Sequence, residues 1–526
     1  MKKFNITGLC VPEYHYMVNI EAKKAHILNL IHDRQYFTIN RARQFGKTTT
    51  LALLERILNH TPEFICVSLT FEGVGEDMFG SDESFCNEFL LQVSEALHLS
   101  GHDFADKWID ESIKGFAALG RHISRLCNDK KVVLLIDEVD STSSNRVFLR
   151  FLGMLRSLFL KRANRKANTF HSVVLAGVHD IKNIKLKLIN EGLYNLQNEH
   201  EGEYNSPWNI ASNFNVDMSF SASEISTMLV EYEEDQATGM DITAVSEEIY
   251  RFTSGYPVLV SKICKCIDEE LPTKEWTVAG VQSAVNKISF ERAVLYDDLF
   301  KNLENNKDLY DFMYGVLISG DKRKYTLYDP VMERCSMLGF IAINPLGIIE
   351  TANKIFSIIM MNYFLSKEKS TQGVSRQVCN GMYAEITSGG KFNMELCLRR
   401  FAEHYGDIYA DTATNFLETH GRMIFLSFLK PLVNGHGFFH IESQLTDMRR
   451  MDVVVDYMRE QFIIELKLWH GEQAQDKAYE QLLGYMNARH MNKGYLLTFD
   501  FRKEGNKEPK AEWVTVQGKE IFDVIV

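Results

Sequence analysis

Four short apolar runs are spread through about the first 215 residues, with helix-patterned text between them. They are "QYFTIN" (35–40), "FICVSLTF" (64–71), "KVVLLIDEVD" (131–140) and "SVVLAGV" (172–178). Runs of this length, rich in Val, Ile and Leu and apolar on both faces, are expected as strands covered on both sides. Strands alternating with helices need crossover connections, and so predict a parallel sheet with helices packed against it. The chain therefore opens as an α/β fold. With 526 residues and roughly 150 residues per domain, it has room for about three or four domains.

The first run feeds "NRARQFGKTTT" (40–50), and "TTTLALLERIL" (48–58) reads as the helix that follows. Strand, loop and helix are the setting of a phosphate-binding loop, G-x-x-x-x-G-K-[ST]. Gly46, Lys47 and Thr48 fit the pattern, whereas Arg41 stands at the first glycine position. Backbone N–H groups at the helix start would face the β- and γ-phosphates. Lys47 would bring a charge to them, and Thr48 would ligate Mg²⁺. A positive φ at the first position would be costly for arginine, yet Arg41 and Arg43 can themselves reach phosphate. The candidate nucleotide set is Arg41, Arg43, Gly46, Lys47, Thr48 and Thr49. The alternative is that Gly46-Lys47-Thr48 merely begins a helix.

"VVLLIDEVD" is an apolar strand ending in two acids. Asp137 would hold the same Mg²⁺ through water, and Glu138 would orient or deprotonate the attacking water. A buried strand with a polar exposed end would look alike taken singly. Downstream, residues 221–300 are mainly helix-patterned, and "SASEISTMLVEYEE" opens with a Ser/Glu capping box. Residues 301–368 suggest short helices and a hairpin, and the text turns polar at "SKEKSTQGVSRQVCN", a linker pattern.

Together "YFTINRARQFGKTTTL", "LLIDEVDS", "SPWNIASNF" and "TSGYPVLVSK" resemble the predicted AAA-like ATPases of bacteria, a branch near the STAND group, over roughly residues 14 to 365. That family usually has an Arg-rich, glycine-poor lead-in to GKT, so the resemblance makes Arg41 a family trait. It implies ATP as ligand. It also implies a helical lid whose "GYP" (255–257) brings Pro257 near the adenine, where an ordinary helix-breaking turn is the other reading. His179 and Asp180 follow the fourth run where such ATPases carry a γ-phosphate sensor, or form a loop-exposed polar pair. Residues 301–368 look similar to the winged-helix module of STAND proteins, expected here to pack as a regulator rather than to read DNA.

The last third carries other chemistry. Asp452 stands in "RRMDVVVD", and Glu465 and Lys467 in "FIIELKLW". Residues two apart on a strand share a face, so Glu465 and Lys467 lie together with Leu466 buried opposite. With the Asp452 strand alongside, two carboxylates and an ammonium converge. Two carboxylates suit Mg²⁺, which polarises a phosphodiester and acidifies water. Lys467 would position that water. The order aspartate, gap, Glu-x-Lys resembles the PD-(D/E)XK nuclease superfamily over about residues 380 to 526, with a hairpin turn, "YMREQ", in the gap. The resemblance implies DNA as substrate, Mg²⁺ with Mn²⁺ possible, Glu418 as an extra metal-binding acid, and Gln481 with Tyr485 as the Q-x-x-x-Y pair of RecB-type members. A surface strand with an E-x-K pair and a solvated Glu418 is the plain alternative.

The net charge of −12 argues against a generally basic nucleic-acid coat, without excluding a local basic channel. The most basic stretch, "RSLFLKRANRKANTF" (156–170), reads as a solvated helix end or a DNA- or partner-facing loop. Nine cysteines without a C-x-x-C pair suggest neither zinc nor a disulfide framework. No run approaches the roughly 18 apolar residues of a membrane span, and no signal-peptide core opens the chain. A cytoplasmic location is expected, with no membrane partner and with a homo-oligomer or protein partner left open.

The expected fold class is α/β multidomain. Its parts are a P-loop ATPase core (1–220), helical lid (221–300), winged-helix-like module (301–368), linker (369–380) and restriction-endonuclease-like domain (381–526). The expected function is an ATPase gating a Mg²⁺-dependent DNA endonuclease, in mobile-element biology or defence. The alternative is an ATP-dependent signalling or scaffold protein whose nuclease-like domain binds without cutting. Ligands facing the surface contribute little to stability, and clustered carboxylates repel. Variants lacking Asp452 or Glu465 are therefore expected to melt no lower than wild type without metal.

Overall fold

A computed structural model describes residues 2–139, 146–177, 208, 210–212, 214, 216–291, 293–319, 323–372, 385–387, 391–409, 418–433, 436–443, 451–458, 460–469, 471–500 and 510–526. The chain divides into two compact units. One holds Met1–Asp235, Gly255–Ser261 and Met337–Gly339. The other holds Gln236–Ser254, Lys262–Ser336 and Phe340–Val526.

The first unit is built on the four apolar runs. They form β1 (Tyr36–Asn40), β2 (Phe64–Thr70), β3 (Lys131–Asp137) and β4 (Ser172–Gly177) in one sheet of order β1-β4-β3-β2. Every pairing in it is parallel. Helix α1 (Glu21–His32) leads into β1, and α2 (Lys47–Asn59), α3 (Asp82–Leu99), α4 (Phe116–Leu126) and α5 (Arg146–Ala163) supply the crossovers. Alternate strand residues feed two cores, as a sheet covered on both faces requires. Val132, Leu134 and Ile136 enter the core with Phe85, Phe89 and Phe151, whereas Val133 and Leu135 enter the one with Leu51 and Leu54. At the free edge of β1, Ser212 bridges Phe37 in parallel and its N–H donates to Tyr36 O at 2.8 Å. Strand β4 separates β1 from β3, so the loop after β1 and the end of β3 flank the end of β4. His179 and Asp180 lie outside the described residues.

The expected capping box is present. Glu224 N–H donates to Ser221 Oγ at 3.1 Å and Ser221 N–H to Glu224 Oε2 at 2.8 Å, at the start of α6 (Ala222–Gln236). Helices α7 (Ile242–Thr253), α8 (Pro257–Lys265) and α9 (Val278–Phe290) follow. Then come α10 (Val294–Asn305), α11 (Lys307–Tyr314), α12 (Pro330–Met337) and the hairpin β5 (Ile341–Ile343) with β6 (Ile349–Thr351). Helix α13 (Lys354–Gln372) continues four residues into the expected linker, and residues 373–384 lie outside the description.

The C-terminal part of the second unit has α14 (Met394–Tyr409) and α15 (Glu418–Val433), then β7 (Gly437–Ser443), β8 (Met451–Tyr457) and β9 (Glu460–Leu468). Helix α16 (Glu472–Ala488) leads to β10 (Lys493–Phe499), β11 (Lys510–Val516) and β12 (Lys519–Ile525). The mixed sheet runs β11-β12-β10-β9-β8-β7. Strands β7, β8 and β9 are antiparallel, while β10 pairs in parallel with β9 and β12. A parallel β9–β10 pair needs a crossover, which α16 provides by burying Ala478, Leu482 and Met486 against Ile463 and Leu496. Elsewhere in this unit, Arg422 donates to Ile318 O at 2.8 Å, Lys430 to Asn362 O at 2.8 Å, and Phe252 meets Phe438 edge-on at 5.3 Å. No described helix is long and apolar enough to cross a membrane.

Candidate functional site

The loop after β1 turns into α2 through Gln44 at φ 58° and Gly46 at φ 78°. Arg41 is not among the residues with positive φ, so the expected steric objection to arginine there does not arise. The left-handed turn falls later, on Gln44 and Gly46. The Arg41 guanidinium donates to Asn40 O at 2.7 Å and Val216 O at 2.6 Å and lies 5.6 Å from the Phe214 ring. Burial holds its pKa below the ordinary arginine range. Its charge is thus engaged in bracing the loop. Arg43 offers its carbonyl to the Tyr256 hydroxyl at 2.6 Å.

Gly46 caps α2 without any side-chain hydrogen bond, so the first N–H groups of the helix are not covered by a capping side chain. Lys47 is buried, its Nζ donating to Arg41 O at 3.1 Å and Ala42 O at 3.2 Å. Thr48 Oγ1 donates to Asp137 Oδ2 at 2.6 Å, joining the loop to the end of β3. Thr49 Oγ1 accepts from Cys10 N at 3.3 Å. The other Asp137 oxygen accepts from Glu138 N at 2.9 Å, and Glu138 itself sits at φ 52°. A left-handed glutamate costs on the order of 1 kcal/mol, and such strain collects where a side chain must be aimed.

The "GYP" turn belongs to this loop. Gly255 has φ 73°, and a Cβ there would come within 1.9 Å of Phe220 O. Tyr256 packs edge-on against Phe45 at 4.6 Å, and Pro257 begins α8 beside it. A Cβ on Gly339 would lie 2.8 Å from Ala42 Cβ. Both segments are far away in sequence; the resemblance implies that "GYP" comes near the nucleotide, whereas the approach of Gly339 was not legible. Positive φ at an isolated glycine would have been the only local signal.

In the C-terminal sheet, Glu465 and Lys467 both lie on β9, are 1% and 4% exposed, and form an ion pair. Leu466, between them, is also buried. The expectation of surface-facing ligands is therefore corrected. Strand β9 is central in its sheet and covered on both faces, so alternation selects between two buried sides. Among the described residues, Glu465 Oε2 is buried and has no hydrogen-bond partner. The β8–β9 ladder ends at Val453↔Ile464, one position short of Asp452 and Glu465, so these two positions neighbour one another at the ladder's end. The side chains of Asp452 and Glu418 lie outside the description. Tyr457 pairs with Glu460 around the expected hairpin turn. Gln481 and Tyr485 lie one turn apart on α16, whose buried face packs on the same sheet.

A buried carboxylate oxygen with no partner is costly, and a carboxylate is the donor that Mg²⁺ or Mn²⁺ takes. Among the described residues no cluster of three or more His, Cys, Asp or Glu side chains is placed to hold a metal, and Glu465 is the one described donor here that suits a hard divalent cation. At the P-loop, the hydroxyl–carboxylate pair of Thr48 and Asp137 equally suits Mg²⁺.

Comparison with known proteins finds two family models on the chain. A model described as an AAA-like domain matches residues 14–345. The chain belongs to this AAA-like family. A second model, of the PD-(D/E)XK nuclease superfamily, matches residues 438–509, and the C-terminal mixed sheet carries that domain. No curated protein matches the sequence. Similar solved structures include the Walker-type ATPase PABY2304 of Pyrococcus abyssi. It is 11% identical and covers 68% of this chain and 99% of that one, with a TM-score of 0.46. The Aeropyrum pernix ORC2 protein, in ADPNP–ADP complexes, is 12% identical and covers 66% and 93%, with a TM-score of 0.40. The AAA-like module thus supplies the P-loop, and the nuclease-superfamily domain supplies the Glu-x-Lys strand.

Proposed function

We propose that the protein binds and hydrolyses ATP at the AAA-like P-loop and uses it to gate a divalent-metal-dependent DNA endonuclease in the C-terminal domain. The observation that carries this reading is the buried Glu465 oxygen without a partner, beside Lys467 and level with Asp452. A structural ion pair would close its hydrogen bonds, whereas a metal ligand keeps one open.

In this reading Lys47 and the uncapped N–H groups of α2 bind the β- and γ-phosphates. Thr48 and Asp137 hold Mg²⁺, Thr49 and Arg43 support the loop, and Glu138 orients water. Pro257 lies against the base. Asp452, Glu465 and Glu418 hold the metal at the nuclease site, and Gln481 positions the substrate backbone. The bound metal supplies Lewis acidity and a water of lowered pKa. Lys467 would orient the attacking water and offset charge on the scissile phosphate. The expected division stands as part of this proposal: core 1–220, lid 221–300, winged-helix-like module 301–368, linker 369–380 and nuclease domain 381–526.

Support for gating comes from Tyr256 and Gly339. Each belongs to a short segment that touches the P-loop lead-in yet is flanked on both sides by residues of the unit holding the nuclease domain. A change in the loop on nucleotide binding reaches both segments, and ATP shifts the balance only by its differential affinity for the two states. A bacterial defence or mobile-element setting fits such a regulated nuclease. The test is incubation of purified protein with plasmid and linear DNA, varying ATP and Mg²⁺ or Mn²⁺, with Lys467→Ala as control. DNA binding without metal-dependent cuts would replace this reading with a non-cleaving one.

A further inference from the structure

The most basic stretch of the chain does not end in open solvent. Helix α5 carries Lys161 in its last turn, and the segment after it carries Lys166. Both line one side of a groove of about 1390 Å³ whose other side is α4 with Arg121 and Arg125. All four cations are exposed. Arg125 contacts His122 at 3.1 Å, and none of the four forms an ion pair among the described residues. Among the described residues one acid lines the groove, Asp110, which accepts from Ser112 N and Oγ at 3.1 and 2.5 Å, lies 3.7 Å from His122 and feels the Arg125 charge, so four cations face one carboxylate. The segment bearing Lys166 is pinned to α4, since Asn168 N donates to Ser124 Oγ at 3.0 Å and its amide to Asn128 Oδ1 at 2.5 Å.

We infer that the α4–α5 groove binds the phosphodiester backbone of DNA and holds it on the AAA-like module. The groove exceeds the roughly 300–1,000 Å³ of small-molecule sites and is open, as a polymer requires. Arg121 and Arg125 are one helical turn apart on one face, at a spacing that matches successive phosphates along a strand. Ser124 and Asn128 stand beside them as neutral donors of the kind that contact phosphate oxygens. The cations on the two walls make the groove net positive on a chain of net charge −12, which focuses a polyanion there. Beyond the groove, Arg34 and Arg162 lie near the strand starts, while Lys131 there is paired with Glu63 at 2.8 Å. After burial, the charges of Arg34, Lys131 and Arg162 push the His171 imidazole down to about 4. The choice of DNA over another polyanion rests on the nuclease reading, but binding here does not depend on cleavage.

The test uses the full chain in a Lys467→Ala background, with a duplex DNA probe in EDTA and binding read by anisotropy across salt concentrations. Arg121→Glu with Lys161→Glu is expected to weaken binding at least about tenfold. It should also reduce the slope of log affinity against log salt by about 1–2, the loss of one or two phosphate contacts. Lys301→Glu with Lys307→Glu changes net charge equally elsewhere and is expected to stay within about twofold. Unchanged affinity and slope in the groove variant, an equal loss in the control, or equal competition by polyglutamate would each overturn the inference. A wild type that cuts while the groove variant binds normally refutes the groove alone. Groove-dependent binding by a wild type that never cuts refutes the nuclease reading and leaves the groove.

Discussion

The P-loop and the Glu-x-Lys strand are both proposed to act on phosphate, but their polar groups are handled in opposite ways. At the P-loop, Lys47 donates to two carbonyls, Thr48 to Asp137, and Asp137 accepts from the Glu138 N–H. Ligand there exchanges one set of hydrogen bonds for another. On β9, Glu465 is more deeply buried and keeps an oxygen with no partner among the described residues. A ligand there relieves a cost that the folded chain otherwise carries. The first site is therefore stable when empty, and the second, in the proposed reading, would be stabilised by the metal it binds.

The largest effects that would break this contrast lie at β9. Asp452→Asn and Glu465→Gln are expected to lower DNA cleavage by about a thousandfold or more, on the scale of losing one strong transition-state electrostatic interaction. Glu465→Ala leaves Lys467 as a buried cation without its carboxylate, so metal-free stability should fall by about 3–5 kcal/mol in urea unfolding. Glu465→Leu combined with Lys467→Met should restore or exceed wild-type stability while remaining inactive. Saturating Mg²⁺ or Mn²⁺, at about 100 times its Kd, should add about 2.7 kcal/mol to wild type and little to Glu465→Gln. A double variant less stable than Glu465→Ala would show that the pair is a net structural support.

At the P-loop, Lys47→Ala is expected to weaken ATP about a hundredfold by isothermal titration, equivalent to about 2.7 kcal/mol. Glu138→Gln should bind ATP normally and stop turnover. Gating predicts that these two variants differ in DNA cleavage, because one holds ATP and the other does not. Equal cleavage in both and in wild type would separate the two activities.

What was legible in the sequence follows from range. The four strands, their parallel order and the GKT loop rest on contiguous residues, and Val132 to Ile136 declare their burial by composition. The Ser221/Glu224 box is local in the same sense. Burial of Glu465 and Lys467 was not legible, because it depends on β10 and α16 covering β9 from elsewhere in the chain. The approach of Gly339 to the loop, and the facing of Lys161 by Arg121, are likewise tertiary facts. The turn at Gln44 was missed because a left-handed glutamine carries no sequence signal of the kind glycine gives.

Acid sharpens the contrast between the two units by a smaller amount. His171 is buried in the first unit, held down to about 4 by burial and then by Arg34, Lys131 and Arg162. Its folded pKa lies below the ordinary 6.5, so between those values the unfolded chain binds a proton that the native one refuses. Stability falls as pH drops through that window, by about 2 kcal/mol between pH 7 and pH 5. In the second unit, burial lowers His440 and raises Asp456, 3.6 Å apart. His440 loses stability with acid in the same way. Asp456, whose folded pKa is raised, gains as pH falls, and so offsets part of the loss. His171→Leu should flatten the acid slope of unfolding by about that 2 kcal/mol. An unchanged slope would place a compensating proton elsewhere.

The smallest expected effect tests why arginine stands where the loop pattern has glycine. If Arg41 were a steric defect, Arg41→Gly would tighten ATP binding. The structure gives the opposite sign. Arg41 has no positive φ to relieve, because the left-handed turns fall on Gln44 and Gly46. Its guanidinium fixes the loop to Asn40 O and Val216 O and packs against Phe214. Glycine would remove these hydrogen bonds and add backbone freedom that binding must quench. Val216 is buried but Asn40 is only partly so, so water can replace part of what is lost, and the penalty stays near 1 kcal/mol. The expected result is a three- to tenfold weaker ATP affinity by titration with chemistry at Glu138 unaffected, so that turnover at saturating ATP stays near wild type. A tighter affinity would mean that the arginine obstructs the loop, and a hundredfold loss would mean that it reaches phosphate when ATP is bound.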